Sequence, residues 1–153
     1  MVLLGAVAGD VIGSPWEFIP MKTTDFELFN ERSKYTDDSV LTLAIASALL
    51  IDGHPYREQV QSIGRKYPNS GYGGMFYKWL FSGSNRPYNS YGNGAAMRVS
   101  PVAYAFSTME EVLHEAQKCT EITHNHPEGI KGAQAVAASI YSNKKCGFTW
   151  GRQ

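Results

Sequence analysis

The sequence predicts an all-α fold of about five to seven helices. Three observations carry that expectation. No stretch of any length alternates apolar and polar residues with the period of a strand, whereas several repeat apolar residues every three or four positions. Helix-start residues stand where those repeats begin, Thr36-Asp37-Asp38-Ser39 before one and Thr108 with Glu111 before another. Glycine and proline close or open the repeats, at Gly53, Pro68, Pro101 and Pro127. With 153 residues, 43% of them apolar and 12% aromatic, residues 1–153 are read as a single domain with one hydrophobic core.

Residues 2–13 read as a short buried helix. Gly5, Gly9 and Gly13 recur every four residues and form a side-chain-free stripe. Each glycine costs about 1 kcal/mol of helix stability relative to alanine, so the stripe points to a backbone or ligand lying close. Asp10 in that helix is either a hydrogen-bonded carboxylate or a ligand. Ser14-Pro15 ends the helix, because proline biases the residue before it away from the α region. Trp16-Glu17-Phe18 sets a carboxylate between two aromatics, a setting that suits an acid or base, although a lone glutamate is commonly a surface residue. Residues 19–35 read as loop.

From Val40 to Asp52 the positions Val40, Leu41, Ala44, Ile45, Ala48 and Leu49 share one helix face. Ahead of them, Thr36-Asp37-Asp38-Ser39 offers oxygen donors of the kind that hard cations such as Mg²⁺, Mn²⁺ or Ca²⁺ take. The competing reading makes Asp37 or Asp38 a simple N-cap, its neighbour favoured by the helix dipole. A weaker helix follows over about Tyr56–Tyr67. Residues 67–94 hold six glycines, four asparagines and five tyrosines around a helical piece near Met75–Phe81. They read as an ordered loop region able to shape a pocket.

Asn93-Gly94-Ala95-Ala96-Met97-Arg98 leads into a helix of about Ala95–Phe106, its small residues leaving N–H groups open to an anion. Pro101 marks a break or a start within it. Residues 109–123 form an amphipathic helix with Val112, Leu113, Ala116, Cys119 and Thr120 inward, opened by a capping box of Thr108 and Glu111. Thr123 to Gly129 is a turn. A last helix from about Pro127 to Asn143 buries Ile130, Ala133, Ala137 and Ile140, and the residues from Cys146 onward form a tail.

Fourteen basic and fourteen acidic residues cancel, which gives no pull toward nucleic acid or a membrane surface. The halves differ: residues 1–52 carry a net −5 and the remainder +5. That fits a cation site beside an anion-binding surface, and equally an ordinary internal complementarity. Cys119 and Cys146 make no disulfide framework, and with His124 and His126 they match no zinc-finger spacing. Reduced thiols, and an amino-terminal run without basic residues and interrupted by Asp10, predict a cytoplasmic protein without signal or span.

Four stretches together resemble the ADP-ribosylglycohydrolase family. They are Gly5-x-x-x-Gly9-Asp10-x-x-Gly13-x-x-x-Glu17, Thr36-Asp37-Asp38-Ser39, Gly92-Asn93-Gly94-Ala95-Ala96-Met97-Arg98, and Thr123-His124 before a small-residue helix. The resemblance implies an orthogonal all-α bundle and a pair of Mg²⁺ (or Mn²⁺) ions. It also implies hydrolysis of the bond from ADP-ribose to a protein side chain or small acceptor. It makes Thr36, Asp37 and Asp38 metal ligands and Glu17 a ligand or the residue that handles the attacking water. Glu17, Asp37 and Asp38 are thus the expected catalytic residues. By the same resemblance Asn93, Gly94, Ala95, Met97, Arg98 and His124 would line the ADP-ribose groove, and the aromatic loop would stack on adenine.

The family's second acidic motif, an Asp-x-Asp toward the carboxyl end, has no counterpart, since no Asp follows residue 129. The chain is therefore expected to match the amino-terminal portion of the family, with one ion or none and little or no turnover. The alternative is a non-catalytic ADP-ribose-binding or crystallin-like structural remnant of the same fold. The first case predicts an exposed apolar face, and with it self-association or a complementing chain. An unrelated phosphohydrolase built on Asp37 and Asp38 is disfavoured, because no Lys- or Arg-bearing phosphate motif accompanies them.

Overall fold

A computed structural model describes residues 2–19 and 21–146. In chain order these form α1 (Val2–Gly13), a 3₁₀ turn (Ser14–Trp16), α2 (Asp37–Leu49), α3 (Tyr56–Lys66), α4 (Gly74–Phe81), α5 (Val102–Ala105), α6 (Met109–Glu121) and α7 (Pro127–Cys146). No strand occurs among the described residues, as the missing alternation predicts. Pro20 and the expected tail beyond Cys146 lie outside the described residues.

The core is organised around α2, which buries Val40, Leu41, Ala44, Ile45 and Ala48. It packs against α1, α3 and α5, while α6 and α7 form a second pair that α5 joins to the first. Burying α2 this completely repays its β-branched content, since each large apolar side chain removed from water contributes about 1.5–3 kcal/mol. Its start is set by Thr36, whose backbone is extended and whose hydroxyl accepts the N–H of Asp38 at 3.3 Å. The cap is therefore Thr36, and Asp37 and Asp38 occupy the first turn, where the dipole favours negative charge.

α3 is fastened to α6 by a polar contact within the core. The buried Glu115 accepts from the Tyr56 hydroxyl at 2.7 Å and from Lys118 at 2.7 Å, with His54 Nδ1 at 3.3 Å. Gly64 lets α4 approach, since a Cβ there would stand 3.0 Å from a Leu80 methyl. The Thr108–Glu111 capping box opens α6 as expected. On α7 the buried seam is Gly129, Ala133, Ala137 and Tyr141, spaced every four residues. This corrects the expectation for Ile130 and Ile140, which are half-buried, Ile140 packing on the edge of the core. Small residues on the seam bring α6 and α7 close, and the longer isoleucines flank it.

Two further expectations change. α1 is helical over the predicted residues, but it is not buried: Leu4 is 66% exposed, and a Cβ on Gly5, Gly9 or Gly13 would meet nothing within 4 Å. The apolar composition that suggested burial reports what α1 could cover and not what covers it. Residues 93–98 are a succession of turns and not the first turns of a helix, and the helix proper is confined to Val102–Ala105. Pro101 thus acts as a start, with its fixed φ at the N-cap and its missing N–H at no cost there. No helix among the described residues is long and apolar enough to cross a membrane.

Candidate functional site

The site grows from Asp10, which sequence reasoning left undecided between structural and ligating roles. Its carboxylate accepts the Thr36 N–H at 2.8 Å, the Thr36 hydroxyl at 2.6 Å, the Ser39 N–H at 3.2 Å and the Ser39 hydroxyl. Four hydrogen bonds on one carboxylate make it a structural anion that holds α1 against the first turn of α2. Thr36, expected as a metal ligand, therefore donates its hydroxyl proton to Asp10 and accepts the Asp38 N–H with one lone pair. One acceptor lone pair remains. Asp10 and Ser39 were not among the expected site residues. Their partners lie 26 and 29 positions away along the chain, a pairing that no local spacing announces.

The first turn of α2 divides two neighbouring cavities. The first, about 480 Å³, is lined by the glycines of α1 with Asp10, Glu17, Thr36 and Asp38, and across from them by Ala96, Met97 and Ser100. The second, about 310 Å³, brings Asp37 together with Gly73, Gly74, Phe76, Tyr88, Asn93, Gly94, Met97, Arg98 and His124. Met97 belongs to both walls, and its carbonyl accepts the Thr42 hydroxyl at 3.4 Å, which joins the turn to α2. Of the expected groove residues, Ala95 alone is withdrawn: it is fully buried in the core behind the turn. Glu17 is exposed, and its expected enclosure by rings does not form. Phe18 is 86% exposed and Trp16 turns to Phe26 and Arg32.

Burial pushes the Asp37 carboxyl up to about 7, helped by the negative charges of Asp38, Glu17 and Asp10 against a smaller opposing pull from the helix backbone. Burial also raises Asp38, with Asp10 and Glu17 adding to it. The negative charge around Asp37 and Asp38 thus adds to burial in opposing their ionisation. The donor set is all oxygen, the kind a hard divalent ion takes, and a positive charge there would relieve the repulsion. The chemistry of Asp37, Asp38 and Glu17 fits such an ion. They do not enclose one by themselves, because no three His, Cys, Asp or Glu side chains converge on a point among the described residues.

The opposite wall is built from Arg98 and His124. Arg98 is 1% exposed, and its Nη2 donates to the Thr123 hydroxyl at 2.7 Å and the Cys119 carbonyl at 3.4 Å. Its Nε and Nη1 have no hydrogen-bond partner among the described residues, and the Phe76 ring stands 6.0 Å from the guanidinium. Leaving such donors unmet costs about 1–3 kcal/mol apiece, so an acceptor entering the cavity is favoured. Burial, with the Arg98 charge second, pushes His124 down to about 4, so the ring is neutral at pH 7. Tyr88 lies 6.0 Å from that ring and ties its loop down by donating its backbone N–H to the Thr123 carbonyl at 3.3 Å. Gly94 is needed here, because a Cβ would come within 3.2 Å of His124 Cε1 and Nε2.

Residues 1–143 match the ADP-ribosylglycohydrolase family. The chain is 28% identical to ADP-ribosylhydrolase ARH3 of Xenopus tropicalis, over 91% of this chain and 48% of that protein. Against ADP-ribosylhydrolase ARH3 of Homo sapiens the figures are 28%, 91% and 48%. Against ADP-ribosylarginine hydrolase Tri1 of Pseudomonas putida (strain GB-1) they are 26%, 91% and 44%. The chain spans about half the length of the curated relatives it matches.

Proposed function

Because the chain belongs to the ADP-ribosylglycohydrolase family, we propose that it binds an ADP-ribosyl group and contributes to hydrolysing its bond to a protein side chain or small acceptor. One observation carries the reading: a single cavity is lined by Asp37 from α2, Asn93, Gly94 and Arg98 from the turn, and His124 from the connection between α6 and α7. One carboxylate, Asp37, shares the cavity with Arg98, whose Nε and Nη1 lack partners among the described residues, which suits a ligand with a diphosphate at one end and an electron-poor ribose carbon at the other.

The chemistry asks for such a pairing. Cleaving a glycosidic bond at ribose develops oxocarbenium-like positive charge, and a water must be directed at the anomeric carbon. Asp37 presents negative charge in this cavity, and across the first turn of α2 from it Asp38 and Glu17 line the neighbouring one, where Glu17 can accept the water's proton. Asn93 and the Gly94 backbone approach the phosphates closely, with no side chain at Gly94 to hold them off. Asp37 and Asp38, with Glu17 and the remaining Thr36 lone pair, would hold Mg²⁺ or Mn²⁺, which supplies a lowered water pKa and orientation of the ribose hydroxyls. A second reading is ADP-ribose binding without turnover. It is favoured by the origin of every acid lining these two cavities in residues 10–38.

Calorimetry with ADP-ribose, with and without Mn²⁺, tests the binding. Release of ADP-ribose from an ADP-ribosylated arginine or serine peptide tests the turnover. The expected result is metal-dependent binding, with any release lowered at least about 100-fold by Asp37→Ala, the scale of losing a group that acts on developing charge. Binding without release selects the second reading. A folded protein that does neither overturns both.

A further inference from the structure

A chain of two hydrogen bonds leads from Arg98 to His124, and the donor inventory determines its direction. Arg98 Nη2 lies 2.7 Å from Thr123 Oγ1, and Thr123 Oγ1 lies 2.7 Å from His124 Nδ1. A guanidinium has donors only, so Thr123 Oγ1 accepts from Arg98. The Thr123 side chain is fully buried, and its own hydroxyl proton needs an acceptor. Among the described residues the one acceptor within reach is His124 Nδ1. Nδ1 therefore accepts, and a neutral ring that accepts at Nδ1 carries its proton on Nε2. The opposite arrangement, with the proton on Nδ1, would strand a buried hydroxyl proton.

We propose that Arg98 and Thr123 are positioning residues that hold His124 as the Nε2–H tautomer, a fixed hydrogen-bond donor toward an acceptor oxygen of the ligand. The placement of the ring agrees. Its Nε2 edge lies at the Gly94 turn, 3.2 Å from where a Cβ would stand, on the wall of the cavity that also holds Asp37. The low proton affinity of the buried ring keeps it neutral at pH 7, so it offers one directed donor and not a diffuse charge. Such a group selects a phosphate or ribose oxygen and rejects a ligand that presents an N–H at that point. Arg98, expected from the sequence to line the groove, thus acts in part through His124.

The inference rests on the ADP-ribose reading only for the identity of the ligand; the tautomer is a property of the free protein. Long-range ¹H–¹⁵N correlation spectra of the imidazole nitrogens, recorded at pH 7 without ligand, are expected to show His124 with a protonated Nε2 and a bare Nδ1. Thr123→Val is expected to lose that single-tautomer signature and to weaken ADP-ribose binding on the order of tenfold, the scale of one misdirected hydrogen bond. Thr123→Ser keeps the hydroxyl and is expected to restore both. A wild-type spectrum with the proton on Nδ1, or a Thr123→Ser variant that behaves like Thr123→Val, overturns the proposal whether or not the valine variant folds. The expected spectrum from a protein that does not bind ADP-ribose leaves the relay standing and removes the function proposed above.

Discussion

Cation-free protein carrying Asp37→Asn is expected to melt about 3–6 °C above the parent at pH 8 and at the same temperature near pH 4. The sign follows from the direction of the shift. Asp37 is raised from 3.8 to about 7 in the folded protein, so the unfolded chain ionises first. Folded-state stability is fully present below pH 4, falls as pH rises toward 7, and stays low above it. A shift of that size corresponds nominally to about 4 kcal/mol. Asp37 is half-buried, and solvent screening reduces the penalty to about 1–2 kcal/mol. Asparagine removes the charge and keeps the polar contacts of a first-turn residue. With Mg²⁺ or Mn²⁺ in excess the order is expected to invert, because only the parent gains the stabilisation of a bound cation. Differential scanning calorimetry at the two pH values, with and without metal, reads all four arms. A variant less stable than the parent at pH 8 without metal would show that Asp37 is not held at the stability cost assigned to it.

Gly129→Ala is expected to destabilise the protein by about 2–3 kcal/mol, a loss on the scale of overpacking at a site that cannot yield. A Cβ on Gly129 would stand 2.9 Å from the Ser90 carbonyl oxygen and 3.3 Å from His124 Cβ. The first obstacle is backbone, so the loop and α7 must separate. That loop is already tied to the far side by the Asn89 N–H donating to Asn125 Oδ1 at 2.8 Å. Gly132→Ala provides the control on the same helix. A Cβ there meets nothing within 4 Å, so the exchange is expected to stabilise by about 0.5–1 kcal/mol through helix propensity. Urea titration of both variants checks the pair. Equal effects would mean that propensity and not the Ser90 contact governs the position.

What could be read from the sequence was local. Thr36 and Thr108 lie within three residues of the N–H groups they accept from, so their helices could be located from pattern and cap. The group Asn93, Gly94 and His124 was reachable through its motifs, and the structure brings it to one cavity with Asp37. The misread parts depended on partners distant in the chain. α1 has a buried helix's composition, but its glycine face is open. Asp10 stayed open between a structural carboxylate and a ligand, because Thr36 and Ser39, which decide for the first, arrive from beyond a long loop. Arg98 lines the cavity as its motif suggests, but its bond to Thr123, 25 positions later, is one that the motif does not announce. The helix expected from Ala95 failed for a local reason that was visible, since Pro101 is better placed to begin a helix than to sit inside one.

The four hydrogen bonds on Asp10 have a consequence for how often the site exists at all. They join α1 to the cap of α2, and a fluctuation that lifts α1 leaves Thr36 and Ser39 without their acceptor. The turn bearing Asp37 and Asp38 then loses its outer brace. A helix with an open glycine face and exposed apolar side chains belongs to the segments that open before the rest of a fold. Any ligand bound at this site would bind more weakly in proportion to the fraction of molecules in which α1 is undocked. A substitution on the far side of α1, touching no ligand, is expected to lower affinity there with no change in the chemistry of the cavity.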